Sequence, residues 1–147
     1  MEPQGQPFKY QTEIDKLIDK GIFLPNLFKP NNKLAYRYVF RNSHINNHKP
    51  AYIQKPRRFI SEMDKKKATT SGYALSCFEE MSIAIQKFND MKSIMRNICN
   101  SIGDSLCYGN LNTDDGLITK TNVNRHFDLY EFHQCDLEKK FKITQNL

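Results

Sequence analysis

Cations and aromatic rings alternate through the first half of the chain in a pattern that suits single-stranded nucleic acid. Residues 29–67 contain 11 Lys or Arg residues and two acidic residues, Glu62 and Asp64. Proteins commonly hold a single strand with its phosphates on Lys and Arg and its bases stacked on aromatic faces. We therefore predict a polyanion-binding surface formed by Lys33, Arg37, Arg41, Lys49, Lys55, Arg57 and Arg58. The candidates for base stacking are Tyr36, Tyr38 and Tyr52.

The histidines, cysteines, glycines and acidic pairs of the sequence lack the spacing of a metal site, a nucleotide-binding loop or a catalytic pair. The candidates for metal ligands are His44, His48, His126, His133 and Cys135. They do not form the paired Cys/His spacings of a tetrahedral zinc site. The glycines form neither a GxGxxG sequence nor a phosphate-binding P-loop. The acidic pairs Glu79–Glu80 and Asp114–Asp115 are explained by the start of a helix and by a turn. We predict no metal site and no bound cofactor.

Three separated positions suggest an alternative, catalytic function. Arg37 lies on a predicted strand, Thr69–Thr70–Ser71 leads into a second strand, and Glu131 lies on a late strand. This order is similar in outline to the Arg…Ser-Thr-Ser…Glu layout of ADP-ribosyltransferase-like enzymes. The chain departs from that layout with Thr-Thr-Ser in the middle and with Leu-Tyr-Glu at the end. The resemblance implies a small transferase acting on a nicotinamide dinucleotide, with Arg37, Ser71 and Glu131 in one cleft.

The alternation of side chains along the first strand argues against such a cleft. Tyr36 and Tyr38 are expected on the core face, and Arg37 would then point outward. We expect any contact between Arg37 and Glu131 to be an ion pair at the surface, of small energetic value.

Composition and charge limit the class of protein. The sequence of 147 residues is 39% hydrophobic and 12% aromatic, which is enough to bury a core in one domain. It contains no apolar run of about 20 residues, and its first ten residues lack the layout of a signal peptide. We predict a cytoplasmic protein with no membrane contact and with reduced, buried cysteines.

The net charge of +6 is concentrated in the first half of the chain. Residues 1–75 carry 14 basic and six acidic residues, whereas residues 76–147 carry eight and ten. The first half therefore has a net charge of +8 and the second half a net charge of −2. Such asymmetry indicates an anionic partner for one face of the protein.

Hydrophobic periodicity predicts an α+β domain. Residues 1–11 are expected to form a flexible lead-in, and residues 12–147 a single domain that begins with a short helix ending at Gly21. Residues 34–40 alternate as a strand, and Ser76 with Glu79 forms a capping box for a long helix over residues 77–102. Short strands follow, the last of them over residues 136–143. The predicted fold is an antiparallel or mixed sheet of about five strands packed on the long helix.

The stretch over residues 70–78, followed by the long helix, resembles small accessory proteins found beside prokaryotic antiviral genes. This resemblance implies an accessory subunit of a larger assembly, with a protein partner. From the residues, we predict a non-catalytic binding or adaptor protein whose basic N-terminal half contacts nucleic acid or an acidic protein surface.

Overall fold

The chain folds as an α+β domain built on one antiparallel sheet. A computed structural model describes residues 6–42, 47–56 and 61–147. The strands are Lys33–Val39 (β1), Leu75–Phe78 (β2), Ser105–Leu111 (β3), Gly116–Ile118 (β4), His126–Glu131 (β5) and Lys142–Asn146 (β6). The helices are Gln11–Asp19 (α1), Ala51–Gln54 (α2), Glu62–Lys67 (α3), Met81–Ile94 (α4), Ile98–Ser101 (α5) and Leu137–Lys140 (α6), and a π-helical turn spans Ala68–Gly72. The order across the sheet is β4-β5-β2-β1-β3-β6.

The predicted fold class is confirmed. Helix α4 packs on the sheet, where the ring of Phe88 lies 5.2 Å from that of Tyr38. The Tyr38 hydroxyl also donates a hydrogen bond of 2.6 Å to the carbonyl of Ala84 in the same helix. Helix α1 buries Ile14 and Leu17 and is followed by Gly21, whose φ of 78° is the left-handed conformation expected of a helix end.

The long helix is shorter than the sequence pattern predicts. It begins at Met81 rather than near residue 77, because the preceding residues Leu75–Phe78 form β2 and pair with β5. The capping box at Ser76 is therefore not used, and strand pairing overrides a local helix signal. At the other end, Met95 is extended, and the chain restarts as α5, where Ile98 is fully buried.

The expected last strand over residues 136–143 begins instead as the short helix α6. The side chain of Asp136 accepts a hydrogen bond from the backbone of Lys139 and starts that turn. Strand β6 follows and pairs with β3 at the edge of the sheet.

Strand β1 is buried on both faces, which the alternation of its side chains did not reveal. Ala35 and Val39 belong to a core cluster with Leu137 and Phe141, on the face opposite to α4. Arg37 shares that face and is 8% exposed. The prediction that Arg37 points outward is therefore wrong, because the C-terminal segment covers the side of the sheet that was expected to face solvent.

The central sheet is divided by a weak seam between β1 and β2. Strand β1 pairs with β3 along its whole length, and β2 pairs with β5 from Leu75 to Phe78. Within the described residues, β1 and β2 pair only at Tyr36 and Phe78. We call the gap between the remaining parts of β1 and β2 the seam.

The described part of the predicted lead-in, from Gln6 onward, contacts the sheet. Phe8 forms a β-bridge with Phe132, and the backbone N–H of Lys9 donates to the carbonyl of Glu131. None of the helices in the described part of the chain has the length and apolarity that crossing a bilayer requires.

Candidate functional site

A large concavity opens at the seam. It has a volume of about 800 Å³ and is lined by Arg37 and Tyr38 of β1 and by Leu75 and Ser76 of β2. Its other walls come from α2, from the π-helical turn, from α5 and from His126. We call this space the seam cavity. Its volume lies within the range of about 300–1,000 Å³ that is usual for small-molecule sites.

The charges that line the seam cavity have one sign. Arg37, Lys49, Lys55 and Lys67 are lining residues, and no Asp or Glu is among the described residues that line it. Lys67 and Lys55 are exposed, whereas Lys49 is half-buried. Cations gathered in a concave, partly apolar site raise the local concentration of anions. The cavity is therefore suited to an anionic ligand.

Arg37 holds the two sides of the seam together. Its Nη1 donates a hydrogen bond of 2.6 Å to the backbone carbonyl of Ser76, and its Nε donates one of 3.2 Å to Nδ1 of His48. The first bond joins β1 to β2 away from the position where the two strands pair. The second requires a neutral His48, and burial together with the Arg37 charge lowers the pKa of His48 to about 3.

Five of the ten predicted site residues meet at the seam cavity, namely Arg37, Lys49, Lys55, Tyr38 and Tyr52. Three others have partners elsewhere. Lys33 forms an ion pair of 2.7 Å with Glu79, Arg41 donates to the side chain of Asn146, and Tyr36 lies near Tyr108. Arg57 and Arg58 lie outside the described residues.

Tyr38 and Tyr52, the two tyrosines that line the cavity, pack mainly in the core and present little ring surface for base stacking. Tyr52 is 4% exposed, and its ring packs edge-on against Tyr73. Tyr38 is half-buried between Phe78 and Phe88. Apolar side chains such as Leu75, Met91 and Ile102 also line the cavity, and they provide the surface against which an organic group can lie.

The three points of the transferase layout do not meet in the seam cavity. Arg37 and Ser71 line it, but Glu131 is not among its lining residues. The Glu131 side chain is 2% exposed and forms an ion pair of 2.8 Å with Lys9. A glutamate that stabilises an oxocarbenium ion must reach the ligand, so this arrangement favours the binding hypothesis over the transferase.

Sequence reasoning missed a cluster of polar groups at the rim of the seam cavity. The hydroxyl of Ser76 lies 2.5 Å from Nε2 of His126, and Oδ1 of Asp128 lies 3.9 Å from the same nitrogen. Pairing of β2 with β5 places Ser76 opposite Asp128 and Phe78 opposite His126. No local motif signals this cluster, because Ser76 and His126 are 50 residues apart.

The environment of this cluster perturbs its acid and base. Burial, with a contribution from Arg37, lowers the pKa of His126 below its usual range. Burial raises the pKa of Asp128 to about 6. Oδ1 of Asp128 is buried and accepts no hydrogen bond from any residue that the structure describes. A buried carboxylate oxygen without a partner is costly and marks this position as unusual.

No known protein family, curated protein or solved structure matches this chain. The site itself is therefore the basis for inferring a function. Within residues 6–42, 47–56 and 61–147, no group of three His, Cys, Asp or Glu side chains is placed to hold a metal ion.

Replacement of Asp128 by asparagine should raise the free energy of unfolding at pH 7 by about 1–3 kcal/mol. The pKa of Asp128 is about 6 in the fold and 3.8 in an unconstrained chain, so the native protein loses stability as the pH rises between these values. Asparagine is neutral throughout, so the gain should vanish below about pH 4. Urea unfolding at pH 3.5, 5 and 7 measures this difference.

The matched control is Asp90→Asn, because Asp90 is exposed on α4. It removes the same charge and should change the stability by less than about 0.5 kcal/mol at each pH. A loss of stability at pH 7 in the Asp128 variant would show that the carboxylate is held by favourable contacts.

Proposed function

We propose that this chain binds single-stranded nucleic acid in the seam cavity. The observation that carries the proposal is the set of four cations around a cavity of about 800 Å³, with no acidic side chain among the described lining residues. In this binding mode, Lys49, Lys55 and Lys67 contact phosphates, and the apolar wall contacts the bases.

The shape of the site favours a nucleic acid over an acidic protein surface. A concave site encloses a flexible, narrow ligand, whereas protein partners meet across broad surfaces of about 800 Å² on each side. The apolar lining around Leu75 and Met91 also suits a ligand that joins charge to flat organic rings. The accessory role in an antiviral assembly, the protein partner and the cytoplasmic location stay predictions.

Simultaneous replacement of Lys49, Lys55 and Lys67 by alanine should weaken binding to a single-stranded oligonucleotide by roughly 100-fold at 0.1 M salt. Each lysine that neutralises a phosphate contributes about 0.7 to the slope of log affinity against log salt, so the slope should fall by about 2. Fluorescence anisotropy of a labelled 12-nucleotide oligothymidine, measured over a range of salt concentrations, gives both quantities.

The control is the triple alanine variant of Lys16, Lys29 and Lys120, which are exposed and do not line the seam cavity. It removes the same net charge and should retain most of the affinity and of the slope. Equal weakening in both variants would mean that binding follows net charge and not this cavity. Tight binding of polyglutamate with no binding of the oligonucleotide would contradict the proposal.

A further inference from the structure

A serine hydroxyl and a histidine ring nitrogen form a pair that opens onto the cationic cavity. Ser76 and His126 both line the cavity, and Ser76 is exposed. Ser76 Oγ and His126 Nε2 lie 2.5 Å apart, which is within the hydrogen-bond reach that a nucleophile and its general base require. From this geometry we propose that Ser76 and His126 form a catalytic dyad that cleaves phosphodiesters bound in the seam cavity.

The orientation of the His126 ring is set by its neighbours. The ring packs edge-on against Phe78, with 5.2 Å between the ring centres. A neutral His126 with its proton on Nδ1 leaves Nε2 to accept the hydroxyl proton of Ser76. Oδ1 of Asp128 faces the same nitrogen and is without a hydrogen bond from the described residues. This carboxylate stabilises the positive charge that His126 acquires when it takes the proton, so Asp128 is a positioning residue.

The cations identify the substrate class. In phosphoryl transfer, charge is spread over the non-bridging oxygens, and Arg and Lys side chains stabilise it. Arg37 is bonded to the backbone carbonyl of Ser76, so a guanidinium lies beside the residue that carries the nucleophile. This inference rests on the proposed function, because the phosphodiester is that of the bound nucleic acid.

The reaction is a hydrolysis in two steps. In the first, Ser76 Oγ forms a bond to phosphorus and the bond from phosphorus to the leaving oxygen breaks. The hydroxyl proton moves to His126 Nε2 and then to the leaving oxygen. In the second, a water oxygen forms a bond to phosphorus and the Ser76 Oγ–phosphorus bond breaks. One proton of the water passes through His126 back to Ser76, so one water is consumed and no electrons are exchanged.

The test uses the full chain and bis(p-nitrophenyl) phosphate, with release of p-nitrophenolate followed by absorbance. Ser76→Ala and His126→Gln should each reduce turnover by about 100-fold or more, which is the scale of a lost nucleophile or general base. Intact-mass spectrometry of acid-quenched protein should show the added mass of a nitrophenyl phosphoryl group in the wild type and not in Ser76→Ala. Asp128→Asn should lower turnover by about tenfold or more even though it stabilises the fold, because the charge on His126 is no longer stabilised.

The matched control is Ser93→Ala, because the Ser93 hydroxyl is exposed on α4 and donates to the carbonyl of Asp90. This variant should keep wild-type turnover, and circular dichroism should show that all variants are folded. Turnover that survives in both Ser76→Ala and His126→Gln comes from another source and overturns the dyad. Hydrolysis of p-nitrophenyl phosphate but not of the diester overturns the substrate class.

Oligonucleotide binding separates failure of this inference from failure of the proposed function. The Ser76→Ala variant should bind the labelled oligothymidine within about threefold of the wild type, because the phosphates are held mainly by the lysines. Binding without turnover in the wild-type protein overturns the dyad and leaves the binding site in place. If the wild-type protein does not bind the oligonucleotide, both the proposed function and the dyad are overturned.

Discussion

Replacement of Phe88 by alanine should lower the free energy of unfolding by about 3–5 kcal/mol. Phe88 is fully buried in α4, and its ring contacts Tyr38 on β1. The truncation removes apolar surface and leaves a void between the helix and the sheet, which the surrounding side chains fill only in part. The midpoint temperature of thermal unfolding should fall by roughly 10 °C.

The control for Phe88 lies at the end of the same helix. Ile94 is 83% exposed, so Ile94→Ala should change the stability by less than about 0.5 kcal/mol. Urea titrations of both variants measure the two effects under the same conditions. A loss below about 1 kcal/mol for Phe88→Ala would show that α4 is not held against the sheet and would suggest an interface role for this helix.

Replacement of Lys9 by alanine should destabilise the protein by about 3 kcal/mol at neutral pH. Lys9 donates to the carboxylate of Glu131 at 2.8 Å and to the carbonyl of Cys135 at 2.7 Å. The other oxygen of Glu131 already lacks a hydrogen bond from the described residues. Without Lys9, the buried carboxylate of Glu131 loses its ion-pair partner. Burial raises the pKa of Glu131 above its usual value, so the loss should become smaller as the pH falls and the carboxylate is protonated.

A double-mutant cycle tests whether the ion pair causes this effect. Glu131→Gln removes the buried charge, so Lys9→Ala should cost less than about 1 kcal/mol in that background. The control Lys16→Ala, at an exposed position of α1, should have little effect in either background. If Lys9→Ala lowers the free energy of unfolding equally in the wild-type and Glu131→Gln backgrounds, the ion pair is not the cause. The loss then comes from packing of the Lys9 side chain or from its hydrogen bond to the carbonyl of Cys135.

Local patterns predicted the elements that depend on local physics. Helix α1 and its end at Gly21 follow from short-range propensity and from a left-handed residue. The alternation in β1 likewise gave a strand within one residue of its observed bounds. The prediction that the Arg37 face of β1 is exposed to solvent was wrong. Alternation shows that a strand has two faces, but it does not show whether the second face is covered. Coverage here comes from Leu137 and Phe141, about 100 residues further along the chain.

The sequence predicted the positive charge of the candidate site but not the pairing of Ser76 with His126. The excess of Lys and Arg before residue 75 indicated an anion site, and four of those cations line the seam cavity. Ser76 gave a local signal for a helix cap, but pairing of β2 with β5 placed it in a strand. The register of that pairing brings Ser76 to His126, and a register between distant strands is not encoded in any short window of sequence.

The seam also affects how the sheet responds to load. Three strands on one side, β1, β3 and β6, are joined by ladders, as are β4, β5 and β2 on the other side. Across the seam, strand pairing within the described residues is limited to Tyr36 and Phe78, and side chains add the Arg37 hydrogen bond to Ser76 and the Lys33–Glu79 ion pair. The two halves can therefore change their spacing at a lower energetic cost than any neighbouring strands within a half. A ligand that contacts both walls would act as a crosslink between the halves and would stiffen the sheet along the line where it is most compliant.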